Sequence, residues 1–181
     1  ITAERCPACG YCSPNGYSFS LPAPSAASVI LEPRYRRQLL EPEHPEMVRR
    51  LLCCSIIDEA LSNEHPRATW LLRAAWASDD ASLDALATHF RLLALGQLEA
   101  DDEHAGLLKV DLLRRVGRLD DALTAVAAVE LDSASKDERA KVLAFQRALV
   151  EHGDTRRYTV AQAAEFDRGR RVRDFLRHNG V

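Results

Sequence analysis

From Pro45 onward the apolar residues recur at helical spacing, broken at regular intervals by turn residues. "PEMVRRLLCCSIIDEALS" opens with Pro45 and Glu46, both favourable in a first turn. Its apolar positions (Met47, Val48, Leu51, Leu52, Ile56, Ile57, Leu61) cover more than one face, which predicts a central helix buried on two sides. "PRATWLLRAAWAS" starts at Pro66, and Asp79 and Asp80 then offer caps to "ASLDALATHFRLLALGQLEA". "DEHAGLLKVDLLRRVG" stops at Gly117, a residue suited to a left-handed helix end, and "RLDDALTAVAAVEL" follows. A capping box of Ser135 and Glu138 opens the next helix, which stops at Gly153. A second box, Thr159 with Gln162, opens a last helix toward His178. Short joints between helices of this length predict a mainly α fold of antiparallel helical hairpins.

The interval between the two turn glycines, Gly117 and Gly153, is 36 residues. Tetratricopeptide repeats have a period of ~34. Within "LLKVDLLRRVGRLDDALTAVAAVELD", Ala122 takes the small position five residues after Gly117, where two helices would cross closely. The expected architecture for residues 45–181 is therefore an all-α, tetratricopeptide-like array of stacked hairpins.

Residues 1–44 break this pattern. The chain has eight prolines, and only Pro45 and Pro66 lie beyond this segment. Proline fixes φ and removes a donor, so turns and extended chain are expected, with a short strand at Ser28–Leu31, "SVIL".

Composition narrows the function classes. A formal net charge of −3 over 181 residues disfavours a general nucleic-acid binder. No apolar run approaches the ~20 residues of a membrane span, and "ITAER" carries no apolar leader core. No phosphate-binding glycine loop, nucleophile elbow or paired-histidine zinc motif occurs. The acidic "SDDASLD" and "EADDEH" read as helix caps. Trp70 and Trp76 read as core residues, and the basic "RGRRVRDFLRH" as a solvated helix face with RNA contact as the sharper option.

The one concentration of chemistry is "CPACGYC", with three of the five cysteines in seven residues. Cys6-Pro7-Ala8-Cys9-Gly10 has the form of a metal knuckle. Two thiolates reach one ion from a tight turn, Pro7 presets its first φ, and Gly10 admits φ > 0 so that backbone N–H groups face the sulfurs. Clustered thiols in an odd total suggest metal binding in a reducing cytoplasm rather than a disulfide framework. Tetrahedral zinc needs four ligands. Cys12 is the nearest third, and Cys53, toward the edge of the helix core face, is preferred over Cys54 as the fourth. A histidine, with His44 and His65 nearest in sequence, or a cysteine pair upstream of Ile1 are the other sources. The same run matches the first three cysteines of a bacterial ferredoxin motif, with Gly16 at the fourth position, so a 4Fe–4S cluster on Cys6, Cys9, Cys12 and Cys53 or Cys54 is the rival assignment.

"CPACGYC", the proline-rich connector, "AAWASDDA" and "DLLRRVGRLDDAL" together resemble an uncharacterised bacterial family. That family joins a C-P-x-C-G-Y knuckle to tetratricopeptide-like helices. The resemblance implies metal ligation by Cys6 and Cys9, with an earlier cysteine pair often preceding the knuckle, and no established activity. The expectation is a non-enzymatic cytoplasmic module with structural zinc that binds a protein or peptide partner. Electron transfer or sensing on an iron–sulfur cluster, and RNA contact, are the alternatives.

Overall fold

The computed structural model describes residues 2–14, 24–61, 65–98, 105–132, 138–159 and 161–163. Among them lie two strands and eight helices, in two compact units, residues 1–97 and 98–181. The boundary expected at 44/45 falls inside the first unit. The mainly α architecture of paired helices agrees with the apolar periodicity.

In the first unit, β1 (Ala3–Arg5) and β2 (Cys12–Pro14) form an antiparallel hairpin in which Ala3 faces Pro14 and Arg5 faces Cys12. The knuckle is the loop of this hairpin. Next come α1 (Pro24–Val29), α2 (Pro33–Leu40), α3 (Glu46–Leu61), α4 (Arg67–Asp80) and α5 (Asp84–Leu95). As its two-sided apolar pattern predicts, α3 is central and packs against both strands, α1, α2 and α4. Ala3, Cys12, Ile30, Tyr35, Leu39, Leu51, Cys53 and Trp70 meet in one core around it.

Ser28–Leu31 does not form a strand. Ser28 and Val29 close α1, and the Ile30 N–H reaches back to the Ala26 carbonyl at 3.1 Å. Strand preference is a preference for a pleated, half-buried surface, and among the described residues no strand pairs with this segment to provide one. Burying Val29 and Ile30 from a helix end achieves the same removal from water. The prolines do not keep this region irregular either. Pro33 sits in the first turn of α2, where the missing N–H costs nothing.

Asp79 does not cap α5. It lies in the last turn of α4, where its carboxylate pairs with the buried Arg91 of α5 and ties the two helices together. Leu83, without a side-chain cap, precedes α5.

In the second unit, α6 (Ala105–Arg115), α7 (Leu119–Asp132) and α8 (Glu138–Glu151) pack on one another. Gly117 and Gly153 take φ of +77° and +68°, the left-handed ends expected of them. Ala122 is wholly buried. The box at Thr159 is formed: the Thr159 N–H donates to Gln162 Oε1 at 2.7 Å, and the Gln162 N–H to Thr159 Oγ1 at 3.3 Å. Ser135 and the stretch "RGRRVRDFLRH" lie outside the described residues.

Arg114 is fully buried in this unit and fully partnered. Its guanidinium donates to Gln146 Oε1 (2.9 Å), Asp111 Oδ1 (2.7 Å) and the carbonyls of Asp154 (2.7 Å) and Arg156 (2.8 Å). It thus fastens the segment after α8 onto α6. Among the described residues, no helix is long and apolar enough to cross a membrane.

Candidate metal centre

The knuckle is built by its backbone. The Cys6 N–H donates to the Tyr11 carbonyl at 2.8 Å, and the Gly10 N–H to the Cys6 carbonyl at 2.9 Å. Closing so short a loop requires Gly10 at φ +81°. The backbone of Cys9 and Ala8 and the neighbouring Cys9 thiol favour the charged form of the Cys6 sulfur. Together they hold the Cys6 thiol below its ordinary pKa of 9.0, the largest contribution coming from the Cys9 backbone. Hydrogen bonds to the charged form are the reason. Both cysteines are half-buried and free. The donor type and spacing of the pair suit zinc.

Cys12 points the other way. It is 1% exposed, on the inner side of β2, and its thiol lies 3.6 Å from the Gly10 carbonyl. Its principal partner is the thiol of Cys53, which shares a hydrogen bond with it and brings its pKa down to about 7. Burial opposes that shift, while Tyr35, Arg5 and Arg50 assist it. Cys53 is pushed well above its ordinary range, because its protonated thiol hydrogen-bonds to Cys12 and is buried. Cys54 is also pushed up, chiefly by burial. Cys53 is therefore not at the edge of the core face; like Cys54, it lies inside it.

Tyr35 joins the two halves. Its phenol is fully buried, donates to the Gly10 carbonyl at 2.9 Å and accepts the Cys12 N–H at 3.0 Å. One side chain from α2 thus anchors the loop that carries Cys6 and Cys9. The sequence signal for it is modest: Tyr35 and Leu39, four apart in "PRYRRQLL", are the buried face of α2.

The four cysteines expected to share one ion are thus arranged as two pairs, Cys6 with Cys9 and Cys12 with Cys53. Among the described residues, no group of three or more His, Cys, Asp or Glu side chains converges as a metal site. Among the described residues, His44, His65 and His152 are engaged elsewhere. His44 lies 3.4 Å from Gln38 Nε2 and packs edge-on against Phe90, His65 lies beside Asp58 and Trp70, and His152 Nδ1 lies 2.9 Å from the Ala148 carbonyl.

No protein-family model matches the chain, and neither does any curated protein or solved structure.

Proposed function

We propose that the chain is a non-enzymatic interaction module in which Cys6 and Cys9 hold zinc and the helical pairs serve a protein or peptide partner. The observation that supports this reading is the knuckle itself, with two free thiols on one tight loop closed by the Gly10 N–H on the Cys6 carbonyl and by Gly10 at positive φ. Zinc there would cross-link the loop of a two-stranded hairpin too short to be stable alone. The ion needs further ligands, and this proposal takes them from beyond Cys6 and Cys9 without drawing on Cys12. Thiolate ligands need reducing surroundings, so the cytoplasm is the compartment proposed. The family resemblance, with its knuckle joined to tetratricopeptide-like helices, belongs to the same proposal.

The test is elemental analysis of anaerobically purified protein. Zinc should be present in the wild type, retained in Cys12→Ala and lost from Cys6→Ser/Cys9→Ser. Zinc retained by the double variant would overturn the assignment. Iron that disappears with Cys12→Ala would replace it with the iron–sulfur alternative. Partner capture by the zinc-loaded chain, lost in the double variant, is the expected second result; turnover of a substrate with no partner present would refute the non-enzymatic reading.

A further inference from the structure

A cavity of about 370 Å³ lies between α2, α3 and α4 in the first unit, and no cysteine is among its lining residues. Its floor is apolar. Leu52 and Ile56 come from one face of α3, and Leu71, buried, from α4. Its rim is cationic: Arg34 and Arg37 one turn apart on α2, and Arg67 at the start of α4. Ser55 and Gln38 add neutral hydrogen-bonding groups between floor and rim.

The charges at the rim do not cancel. Arg34 is paired with Glu59 at 3.2 Å. Neither Arg37 nor Arg67 makes an ion pair or a side-chain hydrogen bond with a described residue. The remaining carboxylate, Glu41, offsets one of them. Three arginines against two glutamates leave a surplus of one positive charge (3 − 2 = +1) over an apolar floor. The volume is at the small end of the ~300–1,000 Å³ range of ligand sites.

We propose that this cavity binds a small organic carboxylate with a short aliphatic chain, the carboxylate on Arg37 and Arg67 and the chain on Leu52, Ile56 and Leu71. A guanidinium can grip a carboxylate through two parallel N–H bonds, which makes arginine the apt residue for this head group. The single surplus charge matches a monoanion better than a phosphate. The apolar floor gains only from a ligand with hydrocarbon to bury. The proposal stands independently of whether Cys6 and Cys9 hold metal.

Hexanoate is the probe, with hexanol and inorganic phosphate as controls, read by NMR of the Leu52, Ile56 and Leu71 methyl groups. Hexanoate should shift these signals saturably. Its affinity should fall as salt rises, and by about tenfold or more in Arg37→Gln/Arg67→Gln. Both arginines are exposed, so the variant should fold, and circular dichroism checks that it does; Arg67→Gln alone, with a smaller loss, is the reserve. Absence of saturation overturns the proposal, as does equal binding of hexanol or unchanged affinity in the arginine variants. Tighter binding of phosphate than of hexanoate would refute the apolar half.

Discussion

Asp154, Arg156 and Tyr158 show how a few polar side chains set the pH limits of the second unit. Tyr158 donates to Asp154 Oδ2 at 2.6 Å, and Arg156 pairs with the same oxygen at 2.7 Å. Burial opposes the charge on Asp154, but the Arg156 and Tyr158 hydrogen bonds outweigh it and hold the carboxyl below its ordinary 3.8. Burial first, then the carboxylate, pushes Tyr158 from 10.0 up to about 12. The signs are opposite. A lowered acid contributes stability above pH 3.8 that is lost as pH falls through its folded value. A raised phenol contributes stability below pH 10.0 that is lost as pH rises toward about 12. Asp154→Asn should flatten the acid limb of urea-midpoint-against-pH curves, and Tyr158→Phe the alkaline limb between 10.0 and about 12, at a cost near neutrality of about 1 kcal/mol for the lost hydrogen bond. Alkaline limbs that coincide for wild type and Tyr158→Phe would contradict this. At the same scale, the local motif was readable for Cys6, Cys9 and Gly10, because knuckle geometry is decided within five residues. The fate of Cys12 was not, because it is set by Tyr35 and Cys53, 23 and 41 positions away.

Helix ends recur as one device. After α6 the Arg118 N–H reaches the Leu113 carbonyl at 2.9 Å, after α8 the Asp154 N–H reaches Leu149, and after α4 the Leu83 N–H reaches Ser78, each at the same distance. The left-handed residues at these three helix ends are Ser82, Gly117 and Gly153, spaced by 35 and 36 positions (117 − 82, 153 − 117). Two of the three could be read from their glycines. Ser82, at φ 57°, could not, since serine carries no such signal. A Cβ on Gly117 would meet nothing within 4 Å. Gly117→Ala should therefore cost only backbone strain, about 1 kcal/mol, and Gly117→Asn less. Gly106 is constrained differently. Its Cβ would lie 2.7 Å from Val129 Cγ2 on α7, and a β-branched side chain yields little. Gly106→Ala should cost about 1–3 kcal/mol by overpacking, and Val129→Ala should recover part of it in the double variant. Thermal melting of the four proteins measures the coupling, and additive losses would contradict the contact. The helices themselves were legible because 3.6-residue periodicity is a local property. Helices α1 and α2 were not legible because six and eight residues are too few to be stable alone and their prolines read as breakers; burial on α3 gives them their stability.

At the scale of the whole chain, each compact unit has its own core, and the two tryptophans both lie on α4 of the first. Their fluorescence therefore reports one unit, while circular dichroism reports both. Arg114→Met would remove the buried guanidinium that Asp111, Gln146 and two carbonyls share in the second unit, at a cost of about 3 kcal/mol. The expected result is an earlier loss of part of the helical signal with the tryptophan transition unmoved. A matching shift in both would mean the units unfold as one. The composition could not reveal this division, because helix follows helix on either side of Gln97 without a change in character. The inward turn of Cys12 has a kinetic consequence. In the folded chain a bulky alkylating reagent can reach Cys6 and Cys9, while Cys12, Cys53 and Cys54 are shielded. Those three thiols become a built-in clock. The rate at which they acquire label, followed by mass, times the opening of the first unit under native conditions without denaturant or an introduced probe.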